Sequence, residues 1–337
     1  MSQKTAFTIE DIARLADVSK STVSRALNDS PLIKEETKAR IRAIAAEHNY
    51  CLNYPARRLS LQKSRTIAYV THAYHKEAFS MEDLFGLEIT GGISASLYAN
   101  GYDMLTVHVD PRDTGWAHQY LDSGRVDGFI LMTSSRKQSH IRALVEMGAP
   151  FIVWGVPAPN AGYPTVMGDN FTGGRLAVEY LIGCGRQRIA FLGGPQRDRE
   201  VELRYQGYEA ALRAAGQAVD PALLAHGDYS FASGAAAMQA LLAQAPELDA
   251  VCVNSDLMAI SAIHAIHESG RRVPDDVAVV GYDDLSIARY NNLPLTTIRQ
   301  NIPLAGKLLA QNLIQYLQTG AVTNVTIPVE LVIRKSA

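Results

Sequence analysis

Along the first fifty residues the apolar positions recur every three or four places, the period of one face of an α-helix. In TIEDIARLADVSKSTVSRALN, residues 8–28, Ile9, Ile12, Ala13 and Ala16 form one stripe. The stripe breaks at Asp17-Val18 and resumes with Val23, Ala26 and Leu27. Thr8 is a suitable N-cap, and Asp11 at the third helical position makes a near capping box. Asp17 tolerates the left-handed backbone that a tight corner needs. Ser19 caps the second helix, and Asn28-Asp29-Ser30-Pro31 ends it. A third helix is predicted over 35–47, burying Ala39, Ile41, Ile44 and Ala45. Two short helices at a sharp corner with a supporting third form a helix-turn-helix pattern. Lys20, Ser21, Thr22, Ser24 and Arg25 are left on the outward face of the second helix. Such a face fits a major groove, with Lys and Arg reaching base edges and hydroxyls holding phosphates. The same periodicity also fits a small helical bundle with a solvated polar face.

From Arg65 the pattern changes to short apolar runs alternating with helical stretches. The runs are TIAYV, DMLTVHV, GFILM, FIVWGV, RIAFLGG, AVCVN and VAVVGYDD. The helical stretches lie near 86–99, 139–147, 170–184, 203–215, 231–244, 256–268 and 303–319. Strand–helix alternation predicts parallel sheets covered on both faces, and about ten strand candidates imply two lobes. In such folds ligands lie beyond the carboxyl ends of the strands, so a cleft between lobes is the expected site. Asp169-Asn170 is placed to cap the helix that follows, near a crossing between lobes.

Charge sharpens the division. The net charge of -2 conceals a head, residues 1–65, of net +5 and a remainder of net -7. A basic head on an acidic body points to a polyanion met by the head alone. Cys51, Cys184 and Cys252 are scattered and odd in number, which fits a reducing cytosol rather than a disulfide framework. No apolar signal segment opens the chain, and no run of about 18 apolar residues could span a membrane. The sequence has no GxGxxG after a strand, no GxxxxGK[ST], no GxSxG and no HExxH, so an enzyme is not expected. His264 and His267 stand three apart on a predicted helix with no third ligand, so neither a metal nor a cofactor is expected.

The segment 8–28, followed by Tyr50 and by ARRL at 56–59, resembles the LacI/GalR family of bacterial transcription regulators. VMGDNFTGGRLAVEYLIGCGRQRIAFLGG, RYQGYEAAL, NSDLMAISA, PDDVAVVGYDDL and PLTTIRQN extend the resemblance over nearly the whole chain. It implies an all-α helix-turn-helix domain over 1–52, a hinge helix and linker over 53–64, and a body over 65–337. The body would be an α/β core of two doubly wound parallel-sheet lobes, like the periplasmic sugar-binding proteins. By this resemblance Lys20, Ser21 and Arg25 read bases, with Thr8, Ser19, Thr22, Ser24 and Asn28 on the phosphate side. Leu59 is the hinge leucine that wedges between base steps in the minor groove, beside Ala56. An unstructured basic tether would fit residues 53–64 equally on their own composition. The chain departs from the family at Asp17, Leu52 and Pro55, where Gly, Pro and an aliphatic residue are usual.

For the effector the resemblance implies Arg204 forking onto ligand hydroxyls, Asp283 as a carboxylate acceptor, Tyr229 stacking, and Gln300 lining the cleft. Ser255 stands where a family member has an effector-contacting asparagine. Trp154 and Phe79 are further lining candidates. On their own, Arg204 and Asp283 would equally make an interlobe ion pair, and Tyr229 plain core. Ile93, Leu97 and Tyr98 resemble the family's dimer face. The whole predicts a cytoplasmic homodimeric repressor of carbohydrate genes, bound to near-palindromic double-stranded operator DNA and released by a small sugar. A purine or nucleoside co-repressor is the alternative effector. A transport-type binding protein and an enzyme on a doubly wound fold are the competing classes.

Overall fold

The computed structural model describes residues 7–48, 50, 63–72, 84–110, 112–132, 138–159 and 161–337. The chain divides into two compact units, Met1–Lys63 and Ser64–Ala337. In the first, α1 (Ile9–Leu15), α2 (Lys20–Leu27) and α3 (Glu35–Glu47) pack around Ile12, Ala13, Ala16, Val23, Ala26 and Ile41. Asp11 N donates to Thr8 Oγ1 at 3.3 Å while Thr8 N donates to the Asp11 carboxylate at 3.1 Å, which closes the capping box. Asp17 turns the corner at φ +47°.

Ala39 is exposed rather than buried, and Lys38 takes the inward position. Residue 38 lies three and seven places before the buried Ile41 and Ala45, so helical spacing sets it on their face. Its ammonium is 3.0 Å from Asp29 and 2.7 Å from Glu35, the pairing a buried lysine requires. Side-chain type pointed to Ala39, but phase decides.

Among the described residues the second unit carries twelve strands. These are β1 (Thr66–His72), β2 (Asp103–Val109), β3 (Gly128–Met132), β4 (Phe151–Trp154), β5 (Thr165–Gly168), β6 (Ile189–Gly193), β7 (Leu224–His226), β8 (Ala250–Val253), β9 (Ala278–Asp283), β10 (Thr296–Gln300), β11 (Asn324–Ile327) and β12 (Val329–Val332). They form two six-stranded sheets, ordered β11-β5-β4-β3-β1-β2 and β12-β10-β9-β8-β6-β7. Each sheet with its helices is one lobe, and the chain passes between lobes after Gly168, Gln300 and Ile327. The helices are α4 (Leu84–Ala99), α5 (Trp116–Leu121), α6 (Gln138–Met147), α7 (Asn170–Gly183), α8 (Arg199–Ala214), α9 (Phe231–Gln244), α10 (Asp256–Glu268), α11 (Ser286–Tyr290) and α12 (Ile302–Thr319). None among the described residues is long and apolar enough to cross a membrane.

The seven apolar runs are β1, β2, β3, β4, β6, β8 and β9. Both sheets are parallel as expected, with one antiparallel pair, β12 against β10. The strands β7, β11 and β12 have partly exposed patterns, so they lack the continuous apolar run of a strand buried on both faces. The body starts firmly at Ser64, where the Asp127 carboxylate accepts from Ser64 N at 2.6 Å and Arg65 N at 2.9 Å.

Ile93 and Leu97 are fully buried in the core that α4 shares with α12. They belong to the interior of one chain, and of the expected dimer face only Tyr98 is exposed. An amphipathic helix shows one apolar stripe whether it meets its own lobe or a partner, and here the stripe meets its own lobe.

Candidate functional site

The second lobe gathers its polar groups at the carboxyl ends of β6, β8, β9 and β10. Arg204, on α8, is buried beneath them. Its Nε donates to Asn170 Oδ1 at 2.8 Å and its Nη1 to the Asn254 carbonyl at 2.7 Å. The guanidinium lies 3.7 Å from the centroid of the Tyr282 ring, a cation–π shelf. With two of five N–H groups used in these bonds, the fork retains donors for a ligand. Asn170, the first residue of α7, also donates to the Gly168 carbonyl at 3.0 Å, which ties Arg204 to the first crossing between lobes. Asp169 caps that helix, accepting from Thr172 N at 3.1 Å.

Close helix packing makes this placement possible. A Cβ on Gly174 would stand 2.1 Å from the Arg204 carbonyl oxygen, and one on Gly207 would stand 2.1 Å from the Phe171 carbonyl oxygen. Only glycine lets α7 and α8 approach so nearly, and that approach sets Arg204 beneath the cleft.

Asp283 ends β9 at φ +114°, and Asp284 follows at φ +59°. Two successive non-glycine residues at positive φ are strained and need anchoring. Asp284 supplies it, since its carboxylate accepts from Arg299 Nε at 2.6 Å and also pairs with Arg334. Asp283 is thereby turned inward, where Gln300 Nε2 donates to its Oδ1 at 2.7 Å. Burial pushes the Asp283 carboxyl up to about 7, although the Arg204 charge and the Gln300 hydrogen bond pull it back. Asp256 behind it is fully buried, accepting from Thr297 Oγ1 at 2.6 Å and Leu285 N at 2.7 Å. Burial and the charge of Asp283 hold Asp256 well above the carboxylate range. Among the described residues no ion pair joins Arg204 to Asp283, and both stand in the same lobe, so they are not an interlobe bridge.

Tyr229 is half-buried at φ +73°, with its ring laid over Gly194 past the end of β6. It packs against the core of the second lobe and lies within the electrostatic reach of Arg204, Asp198, Glu200 and Asp283. Ser255 is an N-cap, its hydroxyl accepting from Met258 N at 3.3 Å at the start of α10. Trp154 ends β4 in the other lobe, 5.6 Å from the Phe85 ring centroid, in a cluster that includes Tyr69 and Leu285. Leu285 comes from the second lobe, directly after the strained turn. Two further contacts join the lobes: Ser286 N donates to Glu88 at 2.8 Å, and Val156 N donates to Glu200 at 2.9 Å. Phe79 lies outside the described residues, as do Ala56 and Leu59. His264 and His267 are exposed, and His264 sits edge-on to Phe231.

Sequence reasoning singled out neither Asn254, Tyr282 nor Asp256 at this site, and gave Asn170 only the helix cap. A polar run at the end of each apolar strand, NSD after β8 and YDD closing β9, was the available signal.

In the head, α2 turns Lys20, Ser21 and Arg25 to solvent, with Thr22 and Ser24 half-buried. Lys20 pairs with Glu10. Ser19 caps the helix and lies 2.8 Å from both Ser21 Oγ and Thr22 Oγ1, a cluster of hydroxyls at its N-terminus. Asn28 reaches Ser24 Oγ at 3.4 Å. Thr8 is spent within the capping box, its hydroxyl 2.7 Å from Asp11.

Two family models match this chain. Residues 8–53 match the bacterial regulatory proteins of the lacI family. Residues 73–335 match the periplasmic binding proteins and sugar binding domain of the LacI family. The chain belongs to the LacI family. The HTH-type transcriptional regulator CelR of Thermobifida fusca is 36% identical over 97% of this chain and 95% of its own length. A CelR–cellobiose complex superposes with a TM-score of 0.75 at 33% identity, covering 98% of this chain and 100% of the other. The lac repressor dimer bound to operator and the anti-inducer ONPF gives a TM-score of 0.84 at 30% identity, covering 98% and 99%. As a LacI-family member the chain is a DNA-binding transcriptional regulator and not an enzyme, and its two α/β lobes form the family's ligand-binding core.

Proposed function

We propose that this LacI-family regulator is a homodimeric repressor of carbohydrate genes, released from a near-palindromic operator by a small sugar. The observation that carries the ligand reading is Arg204, a buried guanidinium held by Asn170 and Asn254 with N–H groups to spare, beside the Asp283 carboxyl. Vicinal hydroxyls match such a pair, one accepting from the fork and the next donating to the carboxylate. Tyr229 and Trp154 supply rings for the C–H face of a pyranose, and Gln300 holds Asp283 in place. The relative solved with cellobiose supports a sugar over the purine or nucleoside alternative.

On DNA, Lys20, Ser21 and Arg25 read bases, while Ser19, Thr22, Ser24 and Asn28 work at the phosphates. Thr8 acts through its helix cap. Ala56 and Leu59 are assigned to the minor groove by their motif alone. Sugar binding adjusts the angle between lobes, and the hinge between head and body transmits that change to the operator. Selection of bound sites from random duplex DNA, repeated with a panel of sugars, tests this. A near-palindromic site lost on adding one sugar is the expected result, and a site insensitive to every sugar would overturn the release mechanism.

A further inference from the structure

Among the described residues, six buried side-chain nitrogen or oxygen atoms have no hydrogen-bond partner, and three lie at one place. They are Asn254 Nδ2, Tyr282 Oη and Gln300 Oε1. The Tyr282 hydroxyl is packed against the first turn of α7, where a Cβ on Gly173 would meet it at 2.2 Å. The other two are a donor and an acceptor on residues 1% and 3% exposed, at the carboxyl ends of β8 and β10. Buried amides are nearly always satisfied, so an unmet pair beside a ligand cleft marks bonds that a ligand completes.

We infer that Asn254, rather than Ser255, is the residue at this turn that reads the ligand, donating through Nδ2 to an uncharged polyhydroxylated effector. The inference rests on the sugar-responsive function above. Ser255 Oγ already accepts from Met258 N as the cap of α10, whereas Asn254 Nδ2 has no partner. Asn254 is held rigidly by its backbone, with its N donating to Leu192 O at 2.9 Å and its carbonyl accepting from Arg204. The carbonyl bond places Asn254 next to the guanidinium that rests on the Tyr282 ring. Gln300 Oε1 offers the complementary acceptor, since its Nε2 is already given to Asp283.

The polar atoms at this end of the lobe point to the ligand class. The Asn254 amide offers a donor, Gln300 an acceptor, Arg204 spare N–H groups and Asp283 a carboxyl. Hydroxyls both donate and accept, so they satisfy an amide donor, an amide acceptor and a carboxyl together.

The test is calorimetric titration of the full chain with cellobiose, ribose and glucose, with galacturonate as an anionic probe and hypoxanthine as a flat base. Asn254→Leu keeps the volume and removes the donor, and Asn254→Ala serves as a second variant. The expected result is a neutral sugar bound by the parent and at least tenfold more weakly by both variants, with Asn254→Leu melting at or above the parent temperature. Unchanged sugar affinity in the variants would overturn the role of Asn254 and leave the sugar-responsive function standing. A marked fall in melting temperature for Asn254→Leu would show Nδ2 to be satisfied within the protein, and would also overturn it. Binding of galacturonate or hypoxanthine alone, or of no probe, would overturn both.

Discussion

Asp283 shows how one residue can join strain, charge and recognition. Its positive φ is maintained by the arginine pairs of Asp284, and its burial brings its pKa to about 7. A carboxyl whose folded value lies above its unfolded value binds more protons when folded, so its contribution falls as pH rises from about 4 to 7. Ligand hydroxyls donate to the ionised form, so binding and proton release are linked. Effector affinity is expected to rise about tenfold between pH 6 and pH 8, the change in ionised fraction for a group near 7. Titration calorimetry in buffers of different ionisation enthalpy checks this, and Asp283→Asn should abolish the pH dependence while weakening binding. Asp284→Asn leaves Arg299 and Arg334 without their shared carboxylate and should cost about 3 kcal/mol in denaturant unfolding. In the head, Arg25→Ala should lose about 1–3 kcal/mol of operator affinity and relax preference at one base position, read by fluorescence anisotropy on variant sites. Arg204, Asp283 and Gln300 were named from the resemblance of RYQGYEAAL, PDDVAVVGYDDL and PLTTIRQN to family motifs. That Ser255 is a cap was not legible, because NSD allows either its Asn or its Ser to face the ligand until the helix start is located.

At the scale of elements, the α7–α8 pair decides where the site sits. Their contact passes through Gly174 and Gly207, with main-chain oxygens where any Cβ would lie. Gly174→Ala must push the helices apart or move Arg204, and should cost about 1–3 kcal/mol of stability together with effector affinity. The same change at Gly91, whose Cβ would meet nothing within 4 Å, is the control and should leave both intact. The paired glycines stand in the motif TGGRLA and in RYQGYEAAL, but a glycine in a helix reads as tolerated flexibility until a partner helix is seen against it. The α4 stripe teaches the converse. Ile93 and Leu97 looked like material for a partner chain, and they are core.

At the scale of the molecule, the lobes meet through Glu88 on α4 and Glu200 on α8, each carboxylate accepting a main-chain N–H from the opposite lobe. Glu88 also acts electrostatically on Asp283, and Glu200 on Arg204, so the carboxylates that join the lobes influence the proposed ligand site. Replacing both with Gln should weaken these two bonds, with faster hydrogen exchange at the amides of Ser286 and Val156 and a changed radius of gyration in solution scattering. Saturating effector should lower operator affinity by about 5–150-fold, the range of ordinary coupling free energies.

The sequence by itself determined the elements and their kind, because periodicity records which side of each helix and strand meets the core. It also determined the basic head and the capped corner at Asp17, because these lie in one short segment. The tertiary structure decided what each polar group is used for. That Asp284 anchors a turn through Arg299, and that Leu97 meets its own lobe rather than a partner, depend on atoms far apart in the chain. Hydrogen bonds are short-ranged and directional, so a donor's partner is fixed only when the fold brings the two within about 3 Å.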